Sequence, residues 1–517
     1  MEFCHDFGMR AGQGGWMKQS DGQWKRREWL GLGAGGAAAW LAAPALVSCA
    51  RSGERPRNII LVVSDGMSQG VPGLAEPFSR VVRGRGTHLH AMLAGGRAAQ
   101  GFFDMASEVS LVTDSAAAAS AWGSGCRVPN GLINQYYDGT RLTPLVPLVQ
   151  DLGKACGLVT TARLTHATPA GFLASVPHRD YEDDIAAQYA ANPPEVLMGG
   201  GSYHFDRDMR EDGADLVQAL KDRGLAHADS RAALLKAEGL ERIFGCFAID
   251  HLPYTLDQMQ SPALMESVPS LGEMTRLALG ALGRRRRGFF LMVEGARVDH
   301  AAHANCAAGV LWDQLAYDDA LGEALAYQQK NPDTLVIATS DHGNSNPGLN
   351  GMGPGYKEST GCFARVARAK ATAPALRQKL AEMQRTRKNF TRVAVREVVQ
   401  QGTGFAMTEA EAGLLLDALL AKPGPEVFGQ HANFYGQLGQ ILGNWNGIGW
   451  TGVTHTADWT LIAAQGPGQE RFQGLLKNTE FYDRVCGLWD IRHQNPANPR
   501  PPELLEPEER AVADPTG

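Results

Sequence analysis

Asn58-Ile59-Ile60-Leu61-Val62-Val63-Ser64-Asp65-Gly66-Met67 decides the fold class. The aliphatic run Ile59–Val63 lacks the polar alternation of a half-exposed strand. It reads as a strand buried on both faces, the condition of a parallel sheet covered by helices on each side. The run stops at a carboxylate, Asp65, and in open α/β sheets ligands bind beyond the carboxyl ends of the strands. Two further runs repeat the design: Phe289–Val293 leads into Glu294, and Thr334–Thr339 leads into Asp341-His342. Helical patterns alternate with these strands, with Leu142 to Gly153 leading into a strand at Gly157 to Ala162, and a long helix expected from Ala304 to Gln329. The expected fold is α/β, a three-layer sandwich with a mostly parallel central sheet flanked by helices.

The chemistry collects at the strand ends. Asp299 and His303 follow Glu294 at i,i+4 spacing; if that segment is helical, both face the same way and can share one metal. A fourth group, Thr454-His455-Thr456-Ala457-Asp458, directly precedes the apolar Trp459–Ala464. Taken singly, a strand-end Asp also serves as the N-cap of a following helix, and a lone His as a structural residue. As a set, Asp, Glu, His and a hydroxyl are the ligand types of Zn²⁺ and Mg²⁺, and no clustered cysteine competes for the role. The hydroxyl comes from Val112-Thr113-Asp114-Ser115-Ala116-Ala117-Ala118-Ala119-Ser120-Ala121-Trp122. Its alanines favour a helix with Ser115 at or near the start, where free N–H groups and the positive dipole end attract anions. An Ala-rich core helix on which Ser115 serves only as a cap fits the same stretch read alone. The whole set reads as a multi-metal hydrolase.

These motifs, in this order from Asn58 to about Gly466, resemble the alkaline phosphatase family. The resemblance implies a metal-dependent phosphomonoesterase whose nucleophile, Ser115, becomes phosphoserine. It implies two Zn²⁺, one held by Asp299, His303 and His455 and one by Asp65, Asp341 and His342. One Mg²⁺ would lie between Asp65, Thr168 and Glu294, and Co²⁺ is an alternative to Zn²⁺. The stretch His166-Ala167-Thr168-Pro169-Ala170-Gly171-Phe172-Leu173-Ala174-Ser175-Val176-Pro177-His178-Arg179 matches the family's segment from the Mg²⁺ threonine to the phosphate-clamping arginine, Arg179. His166 stands where some members carry Asp near the Mg²⁺, and His300 where some carry Lys near the phosphate. The first change implies weaker Mg²⁺ retention and activation by added Mg²⁺; the second implies a side chain that titrates near neutrality. Both point to an alkaline optimum. Small phosphate monoesters are the expected substrates and inorganic phosphate the product. A phosphodiesterase on the same scaffold is the alternative, although such relatives usually lack the Mg²⁺ ligands and often use threonine. A sulfatase needs C-x-P-x-R at the nucleophile, which Asp114-Ser115-Ala116 excludes, and a catalytically dead binding protein should have lost ligands that are all present here.

Composition agrees. The 517 residues are 44% hydrophobic, enough for a large core, and a net charge of −6 gives no support to nucleic-acid binding. The run Arg284 to Arg287 fits a solvated turn before a buried strand better than an anion patch. Lys25-Arg26-Arg27-Glu28-Trp29-Leu30, followed by the Gly/Ala-rich run Gly31 to Val47, resembles a Tat export signal, with Met17 a sufficient start. Leu46-Val47-Ser48-Cys49 resembles a lipobox, so a periplasmic or cell-surface enzyme, lipid-anchored at Cys49, is expected in preference to a transmembrane anchor. Of the eight cysteines, Cys126, Cys156, Cys246, Cys306, Cys362 and Cys486 show no CxxC pairing, which leaves disulfides open. The expected organisation is an upstream extension and signal over 1–49 and a catalytic domain over 50–490. A crown-like insertion is expected at about 345–450, including a helix at Glu409 to Ala421 and a basic segment from Lys357 to Lys388. A Pro-rich tail over 491–517 completes the chain. Monomer and homodimer are both compatible with the sequence.

Overall fold

Ile59, Leu61 and Val63 of the Asn58–Ser64 strand pack into one hydrophobic cluster, and Ile60 and Val62 into another on the opposite face. Burial on both faces is the reason the run carries no polar alternation. The computed structural model describes residues 16–18, 24–26, 55–386, 390–422 and 428–499. Its central sheet has ten strands, in the spatial order Gly474–Lys477, Ala99–Asp104, Thr460–Gln465, Thr334–Thr339, Asn58–Ser64, Phe289–Gly295, Ala155–Arg163, Val196–Gly200, Ile243–Cys246 and Ala226–Ala228. All pairings are parallel except the two made by Thr460–Gln465, which runs against both of its neighbours. Helices cover each face. The Ser115–Ser124 and Glu480–Trp489 helices supply one cluster, and the Leu271–Leu282 and Ala307–Lys330 helices the other. This is the expected three-layer α/β arrangement.

Element ends follow local chemistry. The helix before Ala155–Arg163 spans Leu145–Asp151 rather than starting at Leu142, because Pro144 occupies its N-cap. The long helix starts at Ala307, where Cys306 Sγ accepts from Gly309 N–H. The Leu271–Leu282 helix opens on a capping box between Ser270 and Glu273.

The segment from 345 to 450 does not continue the sheet. The helices Ala373–Arg385, Arg392–Thr403, Glu409–Leu419 and Phe434–Asn446 pack around a hydrophobic cluster of their own. A short ladder between Gly348–Leu349 and Ile448–Gly449 closes its base. Beyond the last helix, Asn495 donates to Ser124 O and Thr143 O, and Pro496 O accepts from the Tyr136 hydroxyl, so the start of the Pro-rich tail lies along the domain surface.

The chain divides into two units, Met1–Cys49 and Ala50–Gly517. In the first, Trp16–Lys18 and Trp24–Arg26 pair antiparallel. The rest of the Tat-like signal, Cys49, Lys388 and residues 500–517 lie outside the described residues. Among the described residues the six cysteines are free, and no helix is long and apolar enough to cross a membrane.

Candidate functional site

Strand direction assembles the site. Asp65, Glu294 and Asp341-His342 sit at the carboxyl ends of three adjacent parallel strands. Asp299 and His303 occupy the helix Arg297–His303, on one face as their spacing requires. His455 precedes a strand rather than following one. Because Thr460–Gln465 is reversed, its amino end lies at the carboxyl edge of its parallel neighbours. Antiparallel pairing of His455–Thr456 with Gly343–Asn344 then fixes His455 beside His342, their rings stacked at 3.7 Å and 22°. Gly66 completes the turn after Asp65 at φ +70; a Cβ there would lie 2.6 Å from Asp299 Oδ1, so no side chain fits.

Three donor groups arise among the described residues, each with its ligand atoms within 4.8 Å of one another: Asp299/His303/His455, Asp65/Asp299/His342 and Asp65/His166/Glu294. Asp341 joins the second, its Oδ2 3.2 Å from His342 Nε2. The histidines are prepared as ligands. His303 Nδ1 and His455 Nδ1 donate to the carbonyls of Val453 and Thr113 at 2.7 and 2.8 Å, so their Nε2 lone pairs face each other across 3.1 Å. Two lone pairs at that distance repel unless a proton or cation lies between them, and outer-shell carbonyls of this kind typically orient metal-bound imidazoles. Asn344 Nδ2 donates to Asp299 Oδ1 at 2.6 Å and orients that carboxylate. Both oxygens of Asp65, Asp341 Oδ2, Glu294 Oε1 and Thr168 Oγ1 are buried without a hydrogen-bond partner. Such groups are rare in folded proteins unless something binds them. Oxygen and imidazole donors in this density fit divalent cations.

Charge repulsion is visible in the acidities. Burial, then Asp341, Asp299 and Glu294, pushes the Asp65 carboxyl well above the carboxylate range. Burial followed by Asp299 raises Asp341 to about 8, and burial raises Glu294 to about 7. Asp299 resists the upward push of its own burial because His303 and His455 hold it well below its ordinary value.

Ser115 is the first residue of its helix rather than the cap. Asp114 caps it, accepting from Ala117 N–H at 2.9 Å, and Ser115 Oγ lies 3.1 Å from His342 Nε2. The helix is buried along its whole length. It comes so close to the turn at Gly171 that a Cβ on Gly123 would lie 1.9 Å from Gly171 O. Arg179 Nη1 donates to Asp114 Oδ2 at 3.0 Å, and its Nη2 to His166 Nε2 at 3.0 Å. That second contact takes the ring's acceptor and leaves its proton on Nδ1. Arg297 Nη1 similarly donates to His300 Nδ1 at 2.9 Å. His300 does not titrate near neutrality as expected: burial first, then Arg297, pushes it well below the imidazole range. The sequence reading assigned no role to Asp114, Asn344, Arg297 or His251. Only Asp114 carried a local signal, its adjacency to Ser115.

The alkaline phosphatase family model matches residues 56–414. Alkaline phosphatase 3 of Bacillus subtilis is 31% identical over 385 residues, which cover 72% of this chain and 76% of that protein. The streptomycin-6-phosphate phosphatase of Streptomyces griseus is 34% identical over 339 residues, 57% of this chain and 75% of its own length. The crystal structure of Thermus thermophilus alkaline phosphatase superposes with a TM-score of 0.80 at 33% identity, covering 90% of this chain and 96% of the other.

Proposed function

Since the chain belongs to the alkaline phosphatase family, metal-dependent enzymes that hydrolyse phosphate monoesters, we propose that Ser115 is its nucleophile and carries the phosphoryl group as phosphoserine. The observation that supports this most strongly is the meeting of Ser115, Arg179 and the crowded acid/His donors at one sheet edge. The Ser115 Oγ–P bond forms as the ester P–O bond breaks; the hydroxyl proton leaves Oγ for solvent and the departing alkoxide takes one from solvent to leave as the alcohol. Water then attacks phosphorus, the Oγ–P bond breaks, the attacking water gives up a proton, Ser115 Oγ takes one back, and inorganic phosphate leaves. Arg179 meets two non-bridging oxygens with a planar fork that lysine cannot copy, and Asp114 holds that fork in place. The amino end of the Ser115 helix adds its positive dipole.

Asp299, His303 and His455 would hold one Zn²⁺ and Asp65, Asp341 and His342 the second, with Mg²⁺ at Asp65, Glu294 and Thr168, beside His166; Co²⁺ suits the same nitrogen and oxygen donors. Bound there, the cations supply positive charge against the phosphoryl oxygens and lower the pKa of a neighbouring hydroxyl or water. The insertion reaches the site through Gln430, whose Oε1 accepts from Val453 N–H and the Thr454 hydroxyl beside His455, and it shapes access for the leaving group.

Protein loaded with Zn²⁺ and Mg²⁺ should hydrolyse p-nitrophenyl phosphate in strong preference to bis-p-nitrophenyl phosphate between about pH 7 and pH 11. A diester preference would favour a phosphodiesterase and remove Arg179 from its role. We further place the enzyme outside the cytoplasm, exported by the Tat route on Arg26-Arg27 and lipid-anchored at Cys49. Cys49→Ser should move it from the membrane fraction to the soluble fraction; continued membrane partition would exclude the lipid anchor.

A further inference from the structure

The loop after the Ile243–Cys246 strand brings His251 to the phosphate side of the site. Its ring centroid lies 4.5 Å from that of His300 and 5.7 Å from that of His166, and those two are 5.8 Å apart. Three imidazoles therefore form one cluster, and each has a guanidinium against it. Arg179 touches His166 at 3.0 Å, Arg297 touches His300 at 2.9 Å, and Arg163 Nη1 touches His251 Nε2 at 3.0 Å.

His251 is the most firmly held of the three. Arg163 also donates its backbone N–H to His251 Nδ1 at 3.1 Å; a neutral ring accepts at only one nitrogen, so this is the hydrogen bond, and the guanidinium at Nε2 is a packing contact. Arg163 is fixed in turn by Glu182, at 2.9 and 2.7 Å, and by Asp250 at 2.7 Å. The loop backbone is tied down as well. Leu252 N–H donates to Thr161 O at 3.0 Å and Gly201 N–H to Asp250 O at 2.9 Å. A Cβ on Gly200 would lie 2.2 Å from Asp250 O, so the loop sits directly on the end of the Val196–Gly200 strand. The His251 ring cannot shift without breaking these contacts, whereas His166 has a second ring nitrogen without a partner.

We propose that His251 is a positioning residue for phosphate binding, its ring wedged against those of His166 and His300 so that they stay where they meet Arg179 and Arg297. The proposal rests on the reading of Arg179 as the phosphate clamp. The Arg179 fork has two braces, Asp114 and His166, and a side chain ordered before binding loses less entropy when the anion arrives. Without the wedge, His166 can tilt and Arg179 keeps only one brace.

The test is calorimetric titration of metal-loaded protein with inorganic phosphate, alongside steady-state kinetics and thermal melting. His251→Ala should weaken phosphate binding about tenfold and raise KM more than it lowers kcat, as expected for loss of an outer-shell support. His251→Gln keeps an acceptor for Arg163 and part of the volume, and should fall between alanine and wild type. Phosphate affinity of the alanine variant within about twofold of wild type overturns the proposal. If the alanine variant does not fold, the glutamine variant decides by the same criterion. A wild-type protein that binds no phosphate overturns the reading of the whole site, while unaltered variants beside a phosphate-binding wild type overturn only the role of His251.

Discussion

Ser115→Ala is expected to reduce phosphate-monoester turnover at least about a thousandfold, equivalent to about 4 kcal/mol of lost transition-state stabilisation. The substitution should be structurally quiet. Position 115 opens a buried helix of small residues, alanine is the better helix former, and the lost hydroxyl had one contact, with His342. The cap belongs to Asp114 and is untouched. Melting should therefore stay within a few degrees of wild type. Inorganic phosphate should still bind, because Asp114 and Arg179 remain in place. Acid quenching during turnover should trap labelled phosphoprotein from the wild type and none from the variant. Turnover by the variant within about tenfold of wild type would assign the nucleophile elsewhere.

Asp65→Asn should be comparably damaging, by at least about a hundredfold in turnover, and its effect on stability should change sign with metal. Asp65 is fully buried, has no hydrogen-bond partner on either oxygen, and belongs to two of the three donor groups. On the proposed assignment it would be a ligand of bound cations, and asparagine should lower both metal content and melting temperature. In chelator it is one of several buried carboxylates in mutual repulsion. Asp65, Asp341 (about 8) and Glu294 (about 7) have folded-state values above their unfolded ones. The folded chain therefore keeps protons that the unfolded chain releases. The contribution of these three carboxyls to the stability of chelated protein falls as pH rises above about 4, whereas His166, His251, His300 and His342, held below the imidazole range, add stability as pH rises to about 7 and nothing further above it. Above the imidazole range only the carboxyls still titrate, so chelated wild type should melt at a lower temperature at about pH 9 than at about pH 7.5, and added Zn²⁺ and Mg²⁺ should remove the difference. At the higher pH, chelated Asp65→Asn should melt above chelated wild type. A chelated wild type with no such fall would mean that burial and mutual repulsion do not raise these carboxyls in the folded chain.

Most of the fold was legible because parallel strands buried on both faces need uninterrupted aliphatic residues, as Ile59–Val63 and Leu335–Ala338 supply. Asp65, Glu294, Asp341 and His342 were legible for the same reason: each lies at the end of such a run or within a few residues of it. The i,i+4 spacing of Asp299 and His303 says that they share a face if the segment is helical, and the helix Arg297–His303 meets that condition. The break in strand–helix rhythm from about 345 to 450 was legible, but the hydrophobic cluster there comes from packing among helices whose apolar stripes say nothing of their partners.

Other features depended on distant parts of the chain. Nothing in Thr460–Gln465 marks it as reversed, yet that reversal brings His455 to His303 and His342. His300 reads from the sequence as free to titrate, but Arg297 and burial act on it in the fold, and Asp114, next to Ser115 in the chain, receives Arg179 on its second oxygen only in the fold. His251 stands in a loop with no local pattern and acquires its setting from Arg163, His166 and His300. The sequence by itself determined the strands and their acidic and histidine ends, because burial and helix periodicity act over a few residues. Strand direction, the sharing of Asp65 and Asp299 between donor groups, and the protonation of the imidazoles were decided only by the tertiary structure, because each depends on the distance between groups far apart in the chain.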